Sequence, residues 1–195
     1  MIDLHVEFYD KDLKKMLKKL GFSNACILGK KYKGFISGVK VGGKLSLSKL
    51  RILEKDNVLF LNEYDKKTAL HAIKNSMIDV ILDLDQNMRS ISLGLLKLAG
   101  EKKIGVCFDF RKILETKGYV RSGVIKNMRT LVKMCIRKKV PTILASGAQS
   151  MWELRSSSDL IAFGELIGMN RGQAKQSLDY YPNKYINKEA IIEEI

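Results

Sequence analysis

Short apolar runs alternate with amphipathic helical segments along this chain, and no other feature limits the possible folds as much. The clearest runs are ACILG at 25–29, DVILDLD at 79–85, IGVCFDF at 104–110 and TILAS at 142–146. Alternation of this kind favours an α/β fold with a mainly parallel sheet. The pattern alone leaves a doubly wound sheet and a (β/α) barrel open. The 195 residues fall short of the roughly 250 usual for an eight-stranded barrel, but the predicted helices and loops are short.

The length and composition predict one domain over residues 1–195. There is no apolar run of about 18 residues and no charged-then-apolar leader, so we expect neither a membrane span nor a signal peptide. The three cysteines, Cys26, Cys107 and Cys135, stand singly in apolar runs without a CxxC pair. Buried free thiols of this kind predict a cytoplasmic protein in a reducing compartment.

The net charge of +14 is concentrated in two parts of the chain. Residues 1–50 hold 11 Lys and Arg against 4 Asp and Glu, and residues 101–150 hold 12 against 3. A concentrated basic surface binds polyanions by releasing their counterions, so nucleic acid is the first partner to consider. The alternative is a general preference for lysine that carries no function.

Basic residues also follow several of the predicted strands, where parallel α/β folds place their functional loops. They are Lys30 and Lys31 after the first run, Arg89 after the second, Arg111 after the third and Arg155 after the fourth. Basic side chains recurring at one end of a sheet predict a surface that reads phosphates. The plainer alternative is that long basic side chains simply fill these loops.

The opening strand, MIDLHVEFYD, raises the possibility of a metal site. Asp3, His5 and Glu7 alternate with apolar residues, so a regular strand places these three on one face and the apolar set on the other. With Asp83 and Asp109 they would form a carboxylate-rich cluster. Hydrolytic metal clusters combine several histidines with carboxylates, and this chain has only two histidines. We therefore expect a hydrogen-bonding role for His5 and no metal bound by this chain.

No other motif supports catalysis by the chain itself. ASGAQS lacks the nucleophile elbow G-x-S-x-G, and the glycines of KVGGK and GKKYKG do not fit a P-loop. The sequence thus predicts no catalytic residue.

The segment TILASGAQSMWELRSSSDLIAFGELIGM carries a specific pattern of residues. The pattern consists of Ser146, Gly147, Ala148, Leu154, Arg155, Ser156, Asp159, Leu160, Gly168 and Met169. It resembles the C-terminal signature of the ribonuclease P protein component 3 family, the archaeal counterpart of a eukaryotic ribonuclease P/MRP subunit. Ser157 stands where that family usually has proline. Arg89, Arg111 and Arg121 also fall where the family has arginines, and the resemblance extends over essentially the whole chain.

The resemblance implies a contracted TIM-barrel-like (β/α) fold, with about seven mostly parallel strands surrounded by helices. It also implies a protein subunit of ribonuclease P, which removes the 5′ leader from precursor tRNA. In that enzyme the RNA subunit performs the hydrolysis with Mg²⁺, so the activity would belong to the holoenzyme, and this chain would bind no cofactor. The implied partners are ribonuclease P RNA, ribonuclease P protein component 2, the other protein subunits and precursor tRNA.

Six residues are predicted to contact RNA. Guanidinium groups bind phosphate bidentately, so Arg89, Arg111, Arg121 and Arg155 come first and Lys30 and Lys31 next. The family is similar in fold to the polymerase-and-histidinol-phosphatase superfamily, whose first strand carries Asp-x-His-x-His. Here Glu7 replaces the second histidine. A metal-dependent phosphoesterase on such a barrel is therefore one alternative, and a general RNA-binding protein is another.

Overall fold

Seven strands form a single sheet in the computed structural model of the chain, which describes residues 1–42, 52–53, 56–62, 66–85 and 92–187. The strands are β1 (Ile2–Val6), β2 (Asn24–Leu28), β3 (Ile36–Val41), β4 (Val58–Leu61), β5 (Val80–Ile81), β6 (Gly105–Asp109) and β7 (Thr142–Ala145). Each pairs with the next along the chain, and all six pairs are parallel. Every connection is therefore a crossover that returns the chain to the same end of the sheet.

The first and last strands meet and nearly close this sheet into a barrel. The backbone N–H of Glu7 donates to the carbonyl of Ala148 at 2.8 Å, and that of Gly147 donates to the carbonyl of His5 at 3.0 Å. Val6 and Ala148 form the matching parallel bridge. Closure at this point confirms the contracted TIM-barrel-like fold and excludes the doubly wound sheet.

Helices surround the barrel. They are α1 (Leu13–Lys19), α2 (Lys66–Lys74), α3 (Leu93–Glu101), α4 (Arg111–Glu115), α5 (Gly118–Arg137), α6 (Ser157–Leu166), α7 (Arg171–Leu178) and α8 (Tyr180–Ile186), with a 3₁₀ turn at Met151–Glu153. No helix in the described part of the chain is long and apolar enough to cross a membrane.

The apolar core has two layers, separated by the strands. The inner layer contains Ile2, Leu4, Cys26, Phe60, Leu82, Cys107 and Ala145, together with Tyr185 from α8. The outer layer joins the other faces of the strands to the helices and includes Val6, Ile27, Leu61, Phe108, Leu144, Leu17, Leu96, Leu131 and Leu160. Burial on both faces explains why most strands are continuous apolar runs rather than alternating ones.

The regular alternation expected for β1 is interrupted. The register of β1 against β2 shifts between Asp3 and Val6, so that Leu4 packs in the inner layer and Val6 in the outer layer. His5 also lies on the inner side, with its ring centroid 6.0 Å from that of Phe60. A bulge thus places the consecutive side chains of Leu4 and His5 on the same side. The expectation that the apolar residues of this strand share one face is therefore wrong.

Several helices differ from their predicted extent. The amphipathic pattern of residues 10–21 predicts a helix, which the structure has in the shorter form α1. The pattern of residues 171–181 predicts one helix, but the structure has two, because the backbone of Asp179 (φ −128°, ψ −69°) interrupts it. The sequence also predicts that Asp65 caps α2, and this residue lies outside the described residues.

The start of α6 shows what the serine at the family's proline position does. Ser156 and Asp159 form a reciprocal capping box, each accepting from the other's backbone N–H at 3.1 Å. Ser157 is the first helical residue, where proline is favoured. Its N–H donates to the carbonyl of Leu20 at 2.8 Å, a bond that proline lacks the donor to make. Serine therefore fastens α6 to the end of α1.

Candidate functional site

His5 lies between two carboxylates at the carboxyl end of the barrel strands. Its Nδ1 is 2.8 Å from Oδ1 of Asp109, and its Nε2 is 2.8 Å from Oε1 of Glu7. Ionised carboxylates only accept hydrogen bonds, so both ring nitrogens carry hydrogen. Burial by itself lowers the pKa of His5, but the charges and hydrogen bonds of Asp109 and Glu7 outweigh burial and raise this pKa to about 9. His5 is therefore an imidazolium at neutral pH.

Glu7 connects this buried pair to the surface. Its Oε1 also accepts from Nζ of Lys40 at 2.6 Å, and its Oε2 accepts from Nε2 of Gln149 at 3.0 Å. The hydrogen bond from His5, followed by those from Lys40 and Gln149, holds the pKa of Glu7 well below its usual range. The four linked side chains Asp109, His5, Glu7 and Lys40 therefore alternate in charge from the barrel interior to its rim.

Lys112 places a second cation among the carboxylates at the carboxyl end of the barrel strands. We call this end the barrel mouth, and its charged residues are His5, Glu7, Asp83, Asp85, Asp109 and Lys112. Its Nζ is 2.5 Å from Oδ1 of Asp85 and 2.9 Å from Oδ1 of Asp83. Burial alone lowers the pKa of Lys112, but the charges of Asp85, Asp109 and Asp83 outweigh it and raise this pKa. Of the carboxylates that the sequence analysis considered for a metal cluster, Glu7, Asp83 and Asp109 are thus paired with side-chain cations.

Asp3 lies apart from these pairs. Its Oδ1 accepts from the backbone N–H of Ser146 at 3.0 Å, and its buried Oδ2 has no hydrogen-bond partner among the described residues. Burial, opposed by the hydrogen bond from Ser146, raises the pKa of Asp3 to about 6. This side chain therefore anchors the end of β7 instead of joining a cluster with His5 and Glu7.

The donors at the barrel mouth do not fit a divalent metal. Among the described residues, His5, Cys107 and Asp109 bring potential ligand atoms within 4.8 Å of one another. A metal needs neutral imidazole and thiolate as ligands. His5 is protonated on both nitrogens, and the Cys107 thiol donates to Oδ1 of Asp109 at 3.4 Å. Burial and the neighbouring Asp109 raise the pKa of Cys107 well above its usual value. That no metal binds here stays a prediction.

The pH dependence of stability tests the charge state of His5. Its folded pKa of about 9 exceeds the usual unfolded value of about 6.5. Its contribution to stability is therefore complete below about pH 6.5 and is lost as the pH rises through about 9. We expect the free energy of unfolding, measured by urea denaturation between pH 6 and 8, to decline over this range. The range ends there because the three buried cysteines, whose pKa values burial raises, add a further loss of stability above about pH 8.5. The His5→Gln/Asp109→Asn double variant is expected to lose this decline, and an identical slope in that variant would contradict the assignment.

Arg155 lies against Phe110, the residue that precedes Arg111 in the chain. The guanidinium of Arg155 lies 5.3 Å from the centre of the Phe110 ring and donates to the carbonyls of Trp152 (3.0 Å) and Leu154 (2.7 Å). Arg111 follows Phe110 directly. Its Nη1 pairs with Glu115 at 3.1 Å, while its buried Nε has no hydrogen-bond partner among the described residues.

The other predicted RNA contacts are spread around the same end of the barrel. Nε of Arg121, in the first turns of α5, donates to the carbonyl of Thr116 at 2.7 Å. Lys31 pairs with Asp56 at 3.3 Å, and Lys30 is exposed after β2. Arg89 lies outside the described residues. Arg111 and Arg121 follow β6, Arg155 follows β7, and Lys30 and Lys31 follow β2. Since β6, β7, β1 and β2 are consecutive around the barrel, these five residues form an arc with a gap after β1.

Exposed aromatic side chains accompany these basic residues, and the sequence reasoning missed them. Trp152 and Tyr119 are 91% and 93% exposed, and Tyr9 stacks on Tyr32 with ring centroids 4.0 Å apart and planes 6° apart. The sequence pattern that could have predicted them is an aromatic residue close to a basic one, as in KKY, GYVR and MWELR. We call this surface the basic–aromatic arc, and its residues are Tyr9, Lys30, Lys31, Tyr32, Arg111, Tyr119, Arg121, Trp152 and Arg155.

Fold and site together define a protein of the parallel (β/α)-barrel class, with internal ion pairs at the carboxyl end of its strands and basic and aromatic side chains around them. The model of the family described as RNase P subunit p30 matches residues 44–191. The chain belongs to this family, which confirms the resemblance found in the sequence.

Curated relatives of the chain are named ribonuclease P protein component 3. The protein of Methanosarcina mazei is 26% identical over 136 residues, which cover 68% of this chain and 56% of the relative. That of Archaeoglobus fulgidus is 26% identical over 122 residues, covering 63% and 60%. The match therefore spans little more than half the length of these relatives.

Solved structures with the same fold come from an RNA-containing enzyme and from hydrolases. A chain in the cryo-EM structure of archaeal ribonuclease P with mature tRNA superposes with a TM-score of 0.79 at 18% identity, covering 100% of this chain and 94% of the other. A prolidase complexed with N-methylphosphonate-L-proline gives 0.61 at 10% identity, covering 95% and 74%. At these identities the likenesses establish the barrel fold.

Proposed function

We propose that this chain is a protein subunit of ribonuclease P and assists the catalytic RNA in removing the 5′ leader from precursor tRNA. The basic–aromatic arc at the carboxyl end of the barrel is the observation that carries this proposal. Membership in the family, the name shared by the curated relatives and the fold shared with a chain of archaeal ribonuclease P support it.

The arc has the chemistry that RNA binding requires. Fixed Lys and Arg charges replace counterions where phosphates approach one another, which lowers the concentration of Mg²⁺ that a folded RNA needs. Flat exposed rings such as Trp152 and Tyr119 offer platforms for unpaired bases. A basic residue beside an aromatic one therefore provides a contact for both parts of a nucleotide.

The proposed division of labour leaves hydrolysis to the RNA and its Mg²⁺. Most side chains of the barrel mouth that could hold a metal or act as a base are paired with each other, as in His5–Asp109 and Lys112–Asp85. Asp3 differs, because its Oδ2 has no hydrogen-bond partner among the described residues. The proposed partners are ribonuclease P RNA, precursor tRNA, ribonuclease P protein component 2 and the other protein subunits. The proposed location is the cytoplasm, supported by three buried free thiols.

Trp152→Ala tests the arc without disturbing the fold. Because the side chain is 91% exposed, we expect the melting temperature to stay unchanged. Loss of one stacked base costs about 1–3 kcal/mol, so the affinity for ribonuclease P RNA is expected to fall roughly 5- to 150-fold. Fluorescence anisotropy with labelled RNA at fixed salt measures this affinity.

The matched control is Leu166→Ala. Leu166 is also an exposed apolar residue, but it lies at the end of α6, away from the arc. We expect its removal to leave RNA affinity unchanged. Equal affinities of the two variants for RNA would show that Trp152 does not contact the RNA.

A further inference from the structure

A cavity of about 560 Å³ opens at the amino-terminal end of the barrel, opposite the basic–aromatic arc. It lies where α3 and α5 end, just before β6 and β7, and is closed on the other side by α7 and α8. Its volume falls in the range of about 300–1,000 Å³ that is typical of small-ligand sites. The residues that matter here are Lys103, Lys139, Tyr180, Tyr181, Lys184 and Tyr185.

Two of the cavity lysines occupy backbone positions that normally belong to glycine. Lys103 follows the end of α3 with φ 57°, and Lys139 follows the end of α5 with φ 54°. Helices commonly end on such a left-handed residue, and glycine is preferred because it has no Cβ to strain. Both helix ends carry lysine instead, and both lysines line the same cavity. Positive charge at these positions is therefore present despite its conformational cost.

The helix ends that carry these lysines are packed directly against each other. A Cβ on Gly100, near the end of α3, would lie 2.2 Å from the backbone carbonyl oxygen of Lys138 at the end of α5. The spacing between the two lysines is therefore fixed by close backbone packing rather than by flexible loops.

Aromatic rings form another part of the cavity wall. Tyr180 and Tyr181 meet edge to face, with centroids 5.2 Å apart and planes at 69°, and Tyr180 is 49% exposed. Nζ of Lys184 lies 4.9 Å from the centre of the Tyr180 ring. Below them the buried Tyr185 donates its hydroxyl hydrogen to the carbonyl of Lys103 at 2.8 Å. This bond ties the aromatic wall to the first of the two lysine-bearing turns.

Among the described lining residues, the cavity therefore combines flat rings with three lysines and one carboxylate, that of Glu101. Rings suit a planar heterocycle, and ammonium groups suit an anion. We propose that this cavity binds one nucleotide unit, with its base against Tyr180 and Tyr181 and its phosphate at Lys103 and Lys139. The unit comes either as a free nucleotide or as one residue of a single-stranded RNA. The proposal does not depend on ribonuclease P assembly, because it concerns the isolated chain and the opposite end of the barrel.

The double variant Lys103→Gly/Lys139→Gly separates binding from folding. Glycine relieves the backbone at both positions, so the variant is expected to melt at or above the temperature of the parent protein while lacking two charges. By isothermal titration calorimetry of the full chain we expect AMP to bind the parent protein. The double variant is expected to bind AMP about tenfold or more weakly, as the loss of charged hydrogen bonds implies. The control Lys126→Ala/Lys133→Ala removes two charges from the exposed face of α5 and should leave AMP affinity unchanged.

Three probes identify the ligand. If an octamer of adenosine residues displaces AMP and binds more tightly than AMP, the natural source is single-stranded RNA. If the octamer binds no more tightly than AMP, the natural source is a free nucleotide. Inorganic phosphate is expected to bind more weakly than AMP. Phosphate binding as tightly as AMP, no binding of AMP to the parent protein, or equal AMP affinity of the parent and the glycine variant would each overturn the proposal.

Discussion

Replacing His5 by alanine is expected to lower the free energy of unfolding by about 3–5 kcal/mol, the cost of leaving a buried charge without its partner. Asp109, only 4% exposed, would keep the weak thiol donor of Cys107 and the more distant charge of Lys112 but lose the imidazolium that it contacts. Glu7 would lose the hydrogen bond that contributes most to its low pKa. One substitution therefore disturbs two carboxylates.

Urea denaturation at pH 7 measures this loss, and two variants serve as controls. Glu7→Gln removes a charge at the rim, beside the partly exposed Lys40, and is expected to cost less. His5→Gln/Asp109→Asn replaces the buried pair by neutral groups of similar shape and should recover part of the stability. A His5→Ala protein within about 1 kcal/mol of the parent, the usual size of a surface ion pair, would show that the pair is not a structural element.

The second large effect is expected from Lys112→Met, which keeps the length of the side chain and removes its charge. Asp85, 1% exposed, and Asp83 would lose the ammonium group that both contact. We expect a loss of about 3–5 kcal/mol for the same reason as at His5.

A double-mutant cycle with Asp85→Asn isolates this pair. Once Asp85 is neutral, the absence of Lys112 no longer leaves a buried charge, so Lys112→Met is expected to cost less in the Asp85→Asn background than in the parent. Strictly additive losses in urea denaturation would mean that the two groups are not coupled.

The barrel could be predicted from the sequence because its signal is local. Apolar runs and helical periodicity lie within stretches of about 5–18 residues, and their alternation together with the family resemblance fixed the architecture. The bulge in β1 left no such signal, since Asp3 to Glu7 alternate perfectly in the sequence. It arises from the pairing of β1 with β2, which a single strand does not reveal.

The site was predicted less completely because its partners are distant in the chain. The sequence drew attention to His5 and Asp109, but their contact spans 104 positions and depends on the closure of the barrel. Lys112 was missed because α4 has five residues, too few to show a helical period. Its partner Asp85 is 27 positions away.

Protonation distinguishes this barrel mouth from a metal centre more than residue types do. Asp, His, Glu and Cys side chains are all present, but His5 and Lys112 supply internal positive charge to the carboxylates around them. We therefore expect such a mouth to be stable without an external cation. This arrangement agrees with the proposal that the chain supports the chemistry of an RNA. The His5→Ala and Lys112→Met variants test whether these internal ion pairs stabilise the barrel.

Reconstitution of precursor-tRNA cleavage is the most direct test of the proposed function. Ribonuclease P RNA and the remaining protein subunits are assayed at low Mg²⁺ with and without this chain, and the chain is also assayed alone. We predict that adding the chain accelerates removal of the 5′ leader, that Trp152→Ala accelerates it less, and that the chain alone cleaves nothing. Cleavage that is unchanged by the chain, or leader removal by the chain without the RNA, would contradict the account.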